Sequence, residues 1–200
     1  MPNARRLKST LLGAAILVNA GVLASWTQNW LTVTLAPAAG HKGTIDVVGS
    51  VAAPALSALA LAGLALVGAL AIAGPVFRIV LGILEAVIGA CVGYSALAAL
   101  LDPAAAGAGA VTEATGVAGS SSVGALVESS SLTAWPVITL ILGVLLAIVG
   151  LATAVTFRAW PGSSKKYQAV RFVEADPDAE ADPVVTWDDL SRGDDPTRKR

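Results

Sequence analysis

Residues 47–101 read VVGSVAAPALSALALAGLALVGALAIAGPVFRIVLGILEAVIGACVGYSALAALL, and the predicted architecture follows from this segment. Arg78 and Glu85 are its only charged residues. It is far longer than the ~20 residues that cross a bilayer as a helix, and Gly74-Pro75 interrupts it near the middle. We therefore predict two transmembrane helices, at 47–73 and 79–101, joined by a cytoplasmic turn at 74–78.

The composition is that of a membrane protein. Hydrophobic residues make up 55% of the chain and charged residues 14%, whereas soluble domains carry about 25% charged residues. One cysteine and one histidine exclude a disulfide framework and a His-rich metal site. The sequence shows no nucleophile–base pair, phosphate loop or metal-ligand spacing. We therefore expect no enzyme activity, no cofactor, no metal and no nucleic-acid partner.

Two further apolar segments flank the hairpin. The first, 10–31, follows a basic N-terminus at 1–9, and the second, 135–157, contains no charged residue. The fold class is therefore predicted as an all-α integral membrane bundle of four transmembrane helices. The first segment also fits a cleaved signal peptide, because a basic start and an apolar core precede the small residue Ala24. That alternative leaves the topology downstream unchanged.

Basic residues near the span ends predict the orientation. Lysine and arginine occur before the first span, in the middle turn and in the tail at 158–200, whereas the loops at 32–46 and 102–134 carry Lys42 alone. By the positive-inside rule, both termini are cytoplasmic and both loops are extracytoplasmic. The protein is thus predicted as a multi-pass plasma-membrane protein with the lipid bilayer as its surroundings. Because the loop at 102–134 is rich in Gly, Ala and Ser, we expect it to be mobile.

Four of the five tryptophans lie near predicted span ends: Trp26, Trp30 and Trp135 outside, and Trp160 inside. Aromatic residues at headgroup depth are typical of the belt that anchors membrane proteins. An outer aromatic ligand site formed by Trp26, Trp30 and Trp135 is the alternative.

Glu85 is the one acidic residue inside a predicted span. Intramembrane carboxylates often mark ion or proton paths, which favours a proton-coupling or substrate-pairing acid of a small transporter. The alternative is a carboxylate near the cytoplasmic end, loosely paired with Arg78 at ~10 Å along the helix. A depth of about a third of the ~30 Å hydrocarbon core favours that alternative. Asn19 is predicted as an interhelical hydrogen-bonding group or as the partner of Glu85.

Small residues recur at a spacing of four in the third and fourth spans. Gly89 and Gly93 form a GxxxG pattern, and Gly143 with Ala147 forms a similar one. Such patterns allow helices to approach closely. They do not say whether the partner lies in the same chain or in a second copy, so a homo-oligomer stays open.

The tail at 158–200 mixes acidic and basic residues, and its Asp-, Pro- and Ala-rich part is predicted to be largely disordered. A candidate docking motif within it contains Trp187, Leu190 and Arg192. Trp187 and Leu190 would share one face of a short helix. Because so short a helix is unstable alone, it should fold only against the bundle or a cytosolic protein.

Motifs spread over the whole chain carry a resemblance to a known family. They are RRLKSTLLGAAILVNAG at 5–21, WLTV at 30–33, APALSAL at 53–59, RAWP at 158–161 with Tyr167, and WDDLSRGDDPT at 187–197. With them the chain resembles the actinobacterial tryptophan-biosynthesis-associated (Trp operon region) membrane proteins, a four-span family encoded beside tryptophan-biosynthesis genes. The resemblance implies a membrane role linked to tryptophan metabolism and carries no established biochemical activity.

Three functional hypotheses follow. The leading one is a non-enzymatic membrane protein associated with tryptophan biosynthesis, which recruits a cytosolic partner through Trp187 and Leu190. The alternative is a small transporter for tryptophan or a precursor that uses the bundle and Glu85, and dimerises to build a path. The third is a structural or regulatory subunit of a larger membrane complex, which would be sensitive along the face of Gly89 and Gly93.

Overall fold

The computed structural model describes residues 2–36 and 43–157, and the tail with its predicted docking motif lies outside them. The described elements are α1 Pro2–Trp26, β1 Asn29–Leu35, β2 Thr44–Val48, α2 Gly49–Ala52, α3 Ala55–Ile72, α4 Pro75–Leu101, α5 Pro103–Thr115, α6 Ser120–Leu126, β3 Val127–Leu132 and α7 Trp135–Thr156.

Four helices are long and apolar enough to cross a membrane: α1 from Arg6, α3, α4 and α7. This confirms the predicted bundle of four membrane helices. Both α1 and α4 pack against α3 and α7. The helices therefore form a ring in which α1 and α4 face each other across the middle, as do α3 and α7.

The backbones of α4 and α7 approach each other most closely, along their small residues. A Cβ atom built on Gly150 would lie 2.7 Å from the carbonyl oxygen of Gly82, and one on Gly143 would lie 2.9 Å from that of Gly89. We call these four glycines the α4–α7 seam. The small residues of both spans thus meet a partner within the same chain, as small-xxx-small packing allows.

Pro54 interrupts the second predicted span. The chain forms β2 and the short α2 before it, and α3 begins only at Ala55. The residue before a proline is disfavoured in the α conformation, and Ala53 accordingly adopts φ −146° and ψ 71°. The prediction of a continuous helix over 47–73 was therefore wrong in its first turns.

Two other predicted span ends differ from the structure. The third span begins at Pro75 rather than at residue 79, because proline is well suited to the first position of a helix, here after an extended Gly74. The predicted turn at 74–78 is shortened accordingly. The first span ends at Trp26 rather than at residue 31, because the chain enters β1 at Asn29.

The segments predicted as loops contain a small sheet and two helices. Strands β2, β1 and β3 form a three-stranded antiparallel sheet in that order, an addition to the all-α prediction. With α2, α5 and α6 it forms what we call the end layer, at the end of the bundle where α1 and α4 finish. The prediction that 102–134 is a loop was wrong, because α5, α6 and β3 occupy most of it.

Local signals and packing both explain why α5 forms. The Asp102 side chain accepts a hydrogen bond from the Ala105 amide at 3.0 Å, and Pro103 occupies the first turn, so the helix has a side-chain cap and a favourable start. A Cβ on Gly107 would lie 2.9 Å from Val33 of β1. Glycine therefore lets α5 lie directly on the sheet.

Trp30 lies in the core rather than at the lipid interface. Its side chain is 0% exposed, and its Nε1 donates to the carbonyl oxygen of Ser25 at 2.8 Å. The anchoring prediction was therefore wrong for this residue. Trp26 and Trp135 are partly buried and pack against the same core cluster, whereas Trp160 lies outside the described residues.

Candidate intramembrane polar site

Asn19 of α1 and Glu85 of α4 meet in the interior of the bundle. Both side chains are 0% exposed, and Asn19 Nδ2 donates a hydrogen bond to Glu85 Oε1 at 3.0 Å. Because α1 and α4 face each other across the ring of helices, this bond crosses the middle of the bundle. We call the two residues the Asn19–Glu85 pair.

The Asn19 amide is held in place from two sides. Its Nδ2 also donates to the carbonyl oxygen of Ala15, one turn earlier, at 2.9 Å. On the other side lies Gly63 of α3, where a Cβ would come within 2.8 Å of Asn19 Cγ. The amide therefore occupies the space that any larger residue at position 63 would fill.

Two oxygen atoms of the pair have no hydrogen-bond partner among the described residues. They are Asn19 Oδ1 and Glu85 Oε2, both buried. Both hydrogens of the Asn19 amide are already used, by Glu85 and by Ala15. The pair thus has unoccupied acceptors and no unoccupied donor, an unfavourable state in a hydrocarbon environment.

The pair lies at the level of the middle of α3. The 18 residues of α3 span ~27 Å, close to the ~30 Å hydrocarbon core, and Gly63 stands at the middle of that helix. Because the Asn19 amide lies against Gly63, the carboxyl group bonded to it is deeper than the sequence estimate of about a third of the core. That estimate used the position of Glu85 along α4 alone.

Arg78 is hydrogen-bonded to the turn between α3 and α4. It is 4% exposed, and its Nε donates to the carbonyl oxygen of Ala73 at 3.0 Å. Lys8 of α1 donates to Ala71, in the last turn of α3, at 2.8 Å. Both cations thus lie where helix carbonyls lack intrahelical partners and the helix dipole is negative.

A second polar contact, between α1 and α7, was not predicted from the sequence. The hydroxyl groups of Ser25 and Thr139 are hydrogen-bonded to each other, and both side chains are buried. Thr139 also donates to the carbonyl oxygen of Trp135 at 2.9 Å. Hydroxyl residues often bond within their own helix in this way, so their presence in a span does not identify an interhelical partner.

The end layer contains a cavity of about 370 Å³, whose lining includes Asp102, Thr112 and Val123. The tryptophans of the suggested outer ligand site do not line it. Among the described residues, no group of three or more His, Cys, Asp and Glu could hold a metal ion. Cys91 is exposed on α4.

The fold and its buried pair define a four-span, multi-pass integral membrane protein. The profile of one family, described as tryptophan-associated transmembrane protein, matches residues 10–197. The chain therefore belongs to the tryptophan-associated transmembrane protein family, which confirms the resemblance seen in its motifs. No curated protein and no solved structure matches the chain.

Proposed function

We propose that the chain is a non-catalytic, multi-pass protein of the plasma membrane that carries tryptophan or one of its precursors across the bilayer. Glu85 is the essential polar group of this transporter. The observation that carries the proposal is the position of Glu85, fully buried and hydrogen-bonded to Asn19 across the middle of the bundle. The family's association with tryptophan supplies the class of solute.

The energetics of the pair favour a functional role over a packing role. Polar contacts between membrane helices contribute about 0.6 kcal/mol on average, whereas an aspartate at the centre of a membrane helix costs about 2.5–3.5 kcal/mol on insertion scales. A similar cost of insertion for Glu85 is larger than the stabilisation that its hydrogen bond with Asn19 contributes. Intramembrane acids of this kind typically mark substrate or ion pathways.

A solute path requires that the helices separate or that a second copy contributes. The α4–α7 seam joins two helices by backbone contacts, and such close packing supports their movement as one body. The pair links this body to α1. We therefore expect transport to involve movement of α1 and α3 relative to α4 and α7, in a monomer or a homodimer.

Flux measurements test the proposal. The full chain is reconstituted in proteoliposomes, and uptake of labelled tryptophan is compared for the wild type, Glu85→Gln and the control Glu113→Gln. Glu113 is exposed on α5 of the end layer, so its substitution should leave uptake unchanged. We expect saturable uptake that Glu85→Gln abolishes. Uptake no higher than in protein-free liposomes, or equal in both variants, would refute the transporter for this solute.

A second candidate function is recruitment of a cytosolic protein by the tail. The family match extends to residue 197 and thus includes Trp187, Leu190 and Arg192. In this function, tryptophan-biosynthesis enzymes should sediment with membranes that contain the protein, and Trp187→Ala should release them. Glu85→Gln should have no effect on sedimentation. Enzymes that stay soluble beside wild-type membranes would contradict this function.

A further inference from the structure

We infer that the Asn19–Glu85 pair is a proton-binding site, in which Glu85 Oε2 takes up one proton and Asn19 positions the carboxyl group. The inference names the coupling ion of the proposed transporter and rests on that proposal for its physiological use. Proton binding itself can be measured without any solute, so the two can fail separately.

The count of donors and acceptors indicates what the pair can bind. Asn19 donates to Ala15 and to Glu85 Oε1, which leaves Asn19 Oδ1 and Glu85 Oε2 as buried acceptors without a partner. A ligand must therefore bring a donor or a positive charge. A proton bound to Oε2 does both, because it neutralises the carboxylate and converts one unoccupied acceptor into a donor.

The size and charge of the site favour a proton over other cations. Asn19 already lies so close to α3 that a Cβ on Gly63 would be 2.9 Å from its Nδ2, so packing restricts the space for a substituted ammonium group. Hard metal cations take about six or more oxygen ligands, whereas only two unoccupied side-chain oxygens of the pair are present. A single positive charge matches the single carboxylate.

The charged groups around the pair lie toward one end of the bundle. Neither α3 nor α7 contains a titratable residue. On α4, Arg78 is two turns away and donates to the end of α3, while Cys91 and Tyr94 are exposed. On α1, Arg6 and Lys8 lie at the N-terminal end. Asn19 donates a hydrogen bond to the Glu85 carboxyl group, so substitution of Asn19 tests this contact directly.

Infrared spectroscopy of the full chain in lipid nanodiscs tests the inference. A pH titration without solute is recorded for the wild type, Glu85→Gln, Glu85→Asp and the control Glu113→Gln. We expect a carboxylic-acid C=O band that Glu85→Gln removes, that Glu85→Asp retains at a shifted position, and that Glu113→Gln leaves in place. Asn19→Ala should move the band to higher frequency, because the acid carbonyl loses the hydrogen bond from Nδ2.

Three results would overturn the inference. One is a difference spectrum between the wild type and Glu85→Gln with no carboxylic-acid band at any pH at which the protein stays folded. Another is a titration midpoint that moves when Na⁺ replaces K⁺ at constant ionic strength, which would assign the site to a metal cation. The third is an unchanged band in Asn19→Ala, which would remove Asn19 from the site. A band without tryptophan flux would support the proton site and refute only the transporter.

Discussion

Replacing Gly63 by alanine tests how closely α3 packs against the Asn19–Glu85 pair. The added Cβ would lie 2.8 Å from Asn19 Cγ and 2.9 Å from Asn19 Nδ2, whereas ordinary contacts begin at 3.4 Å. The amide or the helix must therefore shift. Because Nδ2 is the atom that donates to Glu85, the shift weakens the bond across the bundle.

The magnitude follows from three contributions. Overpacking a well-packed interior costs about 1–3 kcal/mol, and loss of the interhelical hydrogen bond costs about 0.6 kcal/mol. Alanine offsets up to about 1 kcal/mol through its higher helix propensity than glycine. We therefore expect Gly63→Ala to lower the free energy of unfolding by about 1–2 kcal/mol.

A matched control lies on the same helix. Gly68 has no atom within 4 Å of a built Cβ, so Gly68→Ala makes the same chemical change without the contact. Unfolding in mixed detergent–SDS micelles should show a loss of stability for Gly63→Ala, and no change or a small gain for Gly68→Ala. Tryptophan uptake should fall only in Gly63→Ala. Equal stability and uptake in the two variants would refute the packing of Asn19 against α3.

Three further experiments test the packing of the bundle by the same unfolding assay. Gly89→Ala should lower the free energy of unfolding by about 1–3 kcal/mol, because its Cβ would lie 2.7 Å from a carbonyl oxygen of α7. Gly93→Ala should be tolerated, because the nearest atom to its Cβ is 3.7 Å away. Equal effects of the two substitutions would contradict the α4–α7 seam. Arg78→Met leaves a carbonyl at the end of α3 without its donor and should cost about 0.5–1.5 kcal/mol, and an unchanged stability would contradict the capping role. A double-mutant cycle of Ser25→Ala and Thr139→Val should give a coupling of about 0.6 kcal/mol, and additive effects would exclude an energetic link between these hydroxyl groups.

The membrane spans were predictable because their signal is local. A long apolar run needs only its own length and composition to identify a crossing, and the last span was accordingly predicted almost to its ends. Two of the three errors at internal span ends come from prolines, and the third, at the end of the first span, comes from strand β1. Pro54 and Pro75 lie inside predicted spans or turns, and their effects on the preceding residue and on helix starts outweigh hydropathy at those positions.

The end layer was missed although part of its signal is visible in the sequence. Leu31, Val33 and Leu35 alternate with threonines, the period of a half-buried strand, but the predicted first span extended over the start of this pattern. Alanine has the highest helix propensity of all residues. The many alanines of this segment therefore favour the helix α5, whereas mobility was predicted from the same small residues. The burial of Trp30 was not predictable, because it depends on the assembled sheet and helices.

The Asn19–Glu85 pair was predictable in its members but only weakly in its geometry. A polar residue in an apolar span is expected to face the interior of a bundle, and this reasoning selected both residues. That Asn19 meets Glu85 follows from the order of helices around the ring, which no single span encodes. The depth of the pair likewise depends on Gly63, a residue that sequence reasoning did not single out.

Glycine has two different roles in this bundle, and together they indicate where movement can occur. Along the α4–α7 seam, glycines bring two backbones into contact, so separating these helices would expose main-chain atoms and lose many close contacts. At Gly63, glycine instead makes room for a side chain that bonds across the bundle. Two buried side-chain hydrogen bonds join α1 to the α4–α7 body, one from Asn19 to Glu85 and one between Ser25 and Thr139. Because a change of charge at Glu85 acts directly on the first of these bonds, it acts between the α4–α7 body and α1, where the packing is less close than along the seam.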